Sequence, residues 1–261
     1  MTTFPALFVS HGAPTLILDD VPARDFLRHV GQDLGRPRAI VVVSAHYEAP
    51  TVKVTAHDTP PTIHDFRGFP EALYRMTYPA PGAPELAADI VARVSAAGLP
   101  AGLDKEWGFD HGTWVPLTLM YPAADIPVVA VSVNPDGDPA MHARLGEALA
   151  PLRSEGVLII ASGSFTHNLS ELPRPRRLAG GDIPAWVTEF AAWLSEAIVE
   201  GRAEDMLNYR ARAPHAVRNH PTDEHLLPLF AAWGAGGGTA ARRLHESNTF
   251  AVLQMDAYAF G

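Results

Sequence analysis

The 261 residues are 47% hydrophobic and 19% charged, an ordinary globular composition with ample material for a buried core. A net charge of -9, with Lys53 and Lys105 the sole lysines, argues against nucleic acid as a partner, and no apolar stretch approaches the roughly 20 residues that span a bilayer. Cysteine is absent, so disulfides and thiolate metal sites are excluded and a transition metal must be held by imidazole, carboxylate or water.

In chain order, the N-terminal MTTFPALFVSHG lacks a basic leader followed by a signal-length apolar run, which makes a cytoplasmic location the expectation. A first strand is expected at 6–9 (ALFV), running into His11, and a second at 39–43 (AIVVV), running into His46. A third follows at 52–55. Residues 58–82 are rich in proline, glycine and aromatics and too long for an ordinary connector; such segments are often functional, and this one carries His64. Residues 83–97 place Leu86, Ile90 and Val94 at helical spacing, with Pro84 in the first turn. His111 stands between Asp110 and Gly112, just before the apolar run VPLTLMY.

A strand is expected at 127–133, a helix at 141–152, and another strand at 157–160, which reaches His167 through ASGSFT. The basic stretch RPRR at 174–177 reads as a solvated, proline-rich surface loop. The helix expected at 183–200 turns Trp186, Phe190, Trp193 and Ile198 toward the core. Near the C-terminus, His220 and His225 surround Asp223 and Glu224 at an expected helix start, with Thr222 as N-cap and Pro228 in the early turns. A glycine-rich turn at 234–238 leads to a last strand expected at 250–254.

Several strands are apolar at consecutive positions, as strands buried on both faces are, and they alternate with helices. The expected fold is therefore α/β, a single catalytic domain over 1–261 with a central, largely parallel or mixed sheet covered by helices on both faces. In such sheets ligands bind at the carboxyl ends of the strands. His11, His46 and His167 each follow a separate strand and would meet at that edge. One such histidine reads most simply as a satisfied strand-end residue; three in one sheet read as a site. His29, His57, His142, His215 and His245 have no such context and read as surface or packing residues. Imidazole donors suit Fe(II), Zn(II), Cu or Ni rather than Mg or Ca. Ser164 precedes His167, but SGSFT is not the G-x-S-x-G turn of a nucleophilic serine.

Together the segments SHGAP (10–14), VVVSAHYE (41–48), PPTIHDFRGFPEALY (60–74), YPAPG (78–82), WGFDHGTWVPL (107–117), ASGSFTHNL (161–169) and PTDEHLLPL (221–229) resemble the class III extradiol ring-cleaving dioxygenases. This is the LigB-like superfamily, and the nearest branch is that of the 4,5-DOPA extradiol dioxygenase-like proteins. The resemblance runs in order through nearly the whole chain. It implies one divalent metal, catalytic Fe(II) or bound Zn(II), held by His11, His46 and His225. It makes His167 the acid–base residue, His111 a second active-site histidine near substrate, and His64 a residue lining the pocket. Glu224 stands beside His225, and better-known members use a glutamate among their ligands. The implied partners are a catecholic small molecule and O₂, and the implied product is a muconic semialdehyde. A zinc-dependent hydrolase and a non-catalytic metal-binding protein are the alternatives on the same fold.

Overall fold

The computed structural model describes residues 3–173, 178 and 181–261, so the basic stretch at 174–177 lies outside the described residues. Its strands are β1 (Ala6–Ser10), β2 (Ala39–Glu48), β3 (Val52–Thr55), β4 (Ala101–Asp104), β5 (Val128–Val133), β6 (Val157–Gly163), β7 (Ala241–His245), β8 (Asn248–Thr249), β9 (Leu253–Gln254) and β10 (Ala257–Phe260). Eight of these form one mixed sheet in the order β4-β3-β5-β2-β6-β1-β10-β7, and β8 pairs with β9 separately. The centre, β5-β2-β6-β1, is parallel, whereas β3 joins β5, and β10 joins β1 and β7, in antiparallel fashion.

Burial on both faces explains the consecutive apolar residues. Val41 and Val43 of β2 and Phe8 of β1 face one core, whereas Ile40, Val42, Leu7 and Val9 face the other. The first core is closed by helices Pro84–Ala96, Pro139–Leu149, Ala185–Val199 and Leu227–Ala235. The second is closed by Pro22–Leu34 and by His111–Met120. The latter helix has almost no exposed face, which is why its sequence carries no amphipathic period. Among the described residues, no helix is long and apolar enough to cross a membrane.

Three expected elements differ. Residues 250–254 do not form the last sheet strand; Phe250 and Ala251 take left-handed backbone angles in the turn between β8 and β9. The sheet is completed instead by β10, whose start follows the buried Asp256. Its carboxylate accepts hydrogen bonds from Gln254 (2.9 Å) and Tyr258 (3.0 Å), and the apolar run that follows, Ala257–Phe260, is only four residues long. The helix expected at 141–152 breaks at Ala150 ahead of Pro151. Thr222 caps nothing: the last long helix starts at Leu227 with Pro228 in its first turn, where the missing N–H costs no ladder bond. The glycine stretch also begins inside this helix. A side chain at Gly234 would collide with Ala143, so its absence lets two helices cross closely.

The topology brings the carboxyl ends of three neighbouring strands together. Ser10 of β1 pairs with Gly163 of β6, and Ser44 of β2 pairs with Ser162 of β6.

Candidate metal centre

Each histidine reaches this edge by a local device. His11 follows β1 directly, and Gly12 then turns the chain away with φ of +65°, a region open to glycine at little cost. His46 lies within the extended end of β2. His111 opens the buried helix His111–Met120, whose N-cap is Asp110, accepting from the Thr113 amide (3.0 Å). The same carboxylate accepts from the Ser44 hydroxyl (2.7 Å) and the Trp107 indole (3.2 Å), which pins the helix start to β2. Close approach also needs Gly112, since a Cβ there would stand 2.6 Å from Ser44 Oγ and 3.1 Å from His46 Cδ2. His167 follows β6, and its backbone N–H donates to the Asn219 carbonyl (3.0 Å). His225 sits in the turn before helix Leu227–Ala235, and its carbonyl accepts from the Ser164 amide (2.8 Å).

Three imidazole nitrogens converge. His46 Nε2 lies 3.0 Å from His11 Nε2 and 3.3 Å from His225 Nε2. What the other ring nitrogens touch decides their protonation. Ser162 Oγ donates its proton to the Gly112 carbonyl, so it can only accept from His11 Nδ1 at 3.0 Å. His225 Nδ1 faces the Glu224 carboxylate at 2.8 Å, and His46 Nδ1 faces that of Asp65 at 3.5 Å. Carboxylates accept only, so His11 and His225 carry hydrogen on Nδ1 and each points a bare Nε2 lone pair toward the region where His46 Nε2 also lies. Lone pairs held this close repel unless a cation lies between them, and an imidazole fixed by an acceptor on its far nitrogen is the usual arrangement of a metal ligand.

Burial, followed by mutual repulsion, holds the rings neutral. His11 and His225 are lowered well below the usual imidazole pKa, and His46 is lowered to about 3. Neutral rings are what metal binding requires. The donor set therefore fits one divalent ion that accepts imidazole.

Two further histidines complete the cluster. His111 meets His46 through its ring, with centroids 3.8 Å apart, and the ligand atoms of His11, His46 and His111 all lie within 4.8 Å of one another. A second such group is His167, Glu224 and His225. Asp65 holds His111 by both its backbone N–H (2.9 Å) and Nδ1 (2.8 Å). Burial alone would raise the Asp65 carboxyl, but these bonds hold it below its ordinary value. His167 stacks flat on His225, with centroids 3.5 Å apart and planes 10° from parallel. Its ring makes no hydrogen bond among the described residues, and burial lowers its pKa to about 4.

These groups open into a cavity of about 550 Å³, a size suited to a small aromatic molecule. Phe66, Phe69, Leu169, Leu172 and Leu253 form much of its apolar wall.

The structure thus brings His11, His46, His111, His167 and His225 together. It does not bring His64 into the cavity. That ring is bonded through Nε2 to the Met76 carbonyl (3.0 Å) and packs against Phe66, Tyr74 and Trp114 behind the wall. The Ser164 hydroxyl donates to the Thr166 carbonyl rather than to an imidazole. Of the other histidines, His142 is a buried helix-end residue bonded to the Asp138 carbonyl, and His245 stacks on Phe26.

Sequence reasoning missed Asp65 and Ser162; Asp110, which adjoins His111, is the cap of its helix. Their signals were weak. Asp65 adjoins a histidine that plays no part in the cavity, and Ser162 belongs to an unremarkable run of small residues. Glu224, beside His225 in the sequence, lies in a turn rather than a helix and reaches back to that neighbour's far nitrogen.

Residues 5–261 match the family model described as the catalytic LigB subunit of aromatic ring-opening dioxygenase. The chain is 42% identical over 258 residues to a 4,5-DOPA dioxygenase extradiol of Beta vulgaris, covering 97% of this chain and 95% of that one. A protein of the same description from Escherichia coli K12 is 44% identical over 242 residues, covering 91% and 87%. The crystal structure of an uncharacterized protein from Escherichia coli K12 superposes with a TM-score of 0.82 at 35% identity, covering 99% of this chain and 100% of that one.

Proposed function

Because the chain belongs to the LigB family of aromatic ring-opening dioxygenases and is an oxidoreductase of the extradiol type, we propose that it cleaves the ring of a substituted catechol with O₂ to a muconic semialdehyde. The observation that carries this reading is the convergence of three imidazole Nε2 atoms at an apolar cavity. We assign His11, His46 and His225 as the metal ligands, with Ser162 and Glu224 holding the far nitrogens of His11 and His225 and the Asp65 carboxylate near that of His46. Fe(II) is the ion for ring cleavage, while Zn(II) binds the same neutral donors at least as tightly. A ferrous ion bound there supplies a dipositive charge that favours catecholate and a redox link between the ring and O₂.

The remaining roles belong to the protein. His167, neutral and without a hydrogen-bond partner, accepts the catechol proton at a ring nitrogen and returns it to the departing oxygen. His111 carries its hydrogen on Nδ1, against Asp65, and so offers Nε2 as an acceptor to a substrate hydroxyl. Phe66 and Phe69 clamp the ring and exclude water from the reacting atoms. His64 supports this wall from behind and does not contact substrate. We take 1–261 as one catalytic domain, in line with the extent of the family match.

The test is anaerobic reconstitution of metal-free protein with Fe(II), addition of a catechol, admission of oxygen, and measurement of oxygen uptake with the yellow semialdehyde. Equimolar uptake and product are expected. Hydrolysis of esters by the zinc form with no oxygen uptake on any catechol would replace this reading with a hydrolase. Tight metal binding with neither activity would leave a binding protein.

A further inference from the structure

The catechol cavity carries one permanent charge. Among the described residues lining it, Arg67 is the sole cationic side chain apart from the histidines, and none is acidic. Arg67 lies in the loop that leaves the metal centre at Asp65 and returns through the helix Glu71–Tyr74. Its neighbours on both sides are fixed. Asp65 is committed to His111 and His46, and Phe66 packs on Phe69 (5.3 Å between centroids), Tyr74 (5.2 Å) and His111 (5.8 Å). Arg67 both lines the cavity and is exposed, so it stands where the cavity meets solvent.

Other arginines of the described surface are mostly spoken for. Arg75, in the same segment, pairs with Glu71 (3.3 Å), and Arg36 pairs with Asp125 (2.8 Å). Arg67 has no carboxylate or carbonyl partner among the described residues. A guanidinium left without an anion at the rim of an apolar pocket is a ready carboxylate receptor, because its planar fork accepts a carboxylate in two parallel hydrogen bonds.

We propose that Arg67 is a specificity-determining residue that binds a carboxylate on the ring substituent, so that the preferred substrates are catechols with an anionic tail. The inference rests on the catechol reading given above and adds to it a ranking. The diol is held at the histidine end, which sends the substituent toward the mouth and Arg67. No acidic side chain of the described lining is there to receive an ammonium group. An arylalkanoic acid therefore satisfies the rim completely, a zwitterionic amino acid such as DOPA leaves its ammonium unpaired, and a cationic catecholamine is repelled.

The experiment is calorimetric titration of the anaerobic Zn(II)-loaded protein with dihydroxyhydrocinnamate, DOPA, methylcatechol and dopamine, together with turnover of the Fe(II) form on each. Wild-type protein is expected to bind the hydrocinnamate about tenfold more tightly than methylcatechol, the worth of one charge-assisted pair at a half-open mouth. DOPA should fall between them and dopamine last. Arg67→Gln should remove that tenfold advantage, leave methylcatechol within about twofold, and improve dopamine; Arg67→Lys should keep part of the advantage. Equal weakening of methylcatechol in Arg67→Gln, unchanged binding of the hydrocinnamate, or DOPA bound more tightly than the hydrocinnamate each overturns the proposal. If the catechols bind in the expected order and none consumes oxygen, ring cleavage fails while the role of Arg67 stands. If no catechol binds, both fail.

Discussion

Ser162→Ala separates the wiring of the metal centre from the ligands themselves, because Ser162 is fully buried and lines no part of the cavity. The hydroxyl accepts from His11 Nδ1 and donates to the Gly112 carbonyl, so its loss strands two buried polar groups. Each stranded group costs roughly 1–3 kcal/mol of stability. The more specific effect is on His11. Without an acceptor at Nδ1, the ring is free to move its proton to Nε2 or to rotate, and both remove the lone pair aimed at the metal. Loss of such an outer partner lowers metal affinity about 10- to 100-fold, which is about 1.4 to 2.7 kcal/mol. Competition for Zn(II) against a chromophoric chelator at neutral pH measures the affinity, and circular dichroism of the metal-free protein measures the stability. Ser162→Thr retains the hydroxyl in a fully packed strand. It should lose stability by about 1–3 kcal/mol through overpacking while keeping most of the affinity. Wild-type affinity in Ser162→Ala, or equal affinity losses in both variants, would refute the tautomer argument.

Other perturbations test the remaining contacts. Glu224→Ala should weaken metal binding by about 10- to 100-fold, whereas Glu224→Gln, whose amide oxygen still accepts from His225 Nδ1, should lose much less; elemental analysis after dialysis against a chelator distinguishes them. Asp65→Asn should retain metal and lower kcat more than KM, since Asp65 orients His111 through two hydrogen bonds; metal loss comparable to that in Glu224→Ala would mean that its chief role is toward His46. For metal-free protein, burial holds His46 at about 3, and His167 and His220 at about 4, against 6.5 when unfolded. Above 6.5 these rings are neutral in both states and contribute no pH dependence. As pH falls below 6.5 the unfolded chain takes up protons that the folded chain refuses, so stability should fall steeply toward pH 4. A melting temperature that is flat over that window would contradict the burial of these rings.

Much of the site was legible because its main parts sit where local pattern and topology coincide. The apolar runs before His11, His46 and His167 required strands buried on both faces, and strand ends in a parallel sheet share one edge, so the meeting of these histidines followed from pattern alone. His225 became legible through the family-like motif around it rather than through periodicity. The absence of cysteine also restricted the donor chemistry to imidazole and oxygen before any coordinate was known.

What stayed hidden depended on contacts between residues far apart in the chain, which no local pattern encodes. Ser162 meets His11 across 151 positions, and Asp65 meets His111 across 46. The strand β10 escaped notice because it spans only four residues and is defined by pairing with β1, at the other end of the chain. His64 carries as suggestive a motif as His111, yet the loop turns its ring to the Met76 carbonyl and turns Phe66 and Arg67 to the cavity instead. Residue types and strand order thus specified that histidines would gather at one sheet edge. Which nitrogen each one presents, and which charge faces the substrate, was settled by packing, because hydrogen-bond partners on the far side of each ring set its tautomer and its aim.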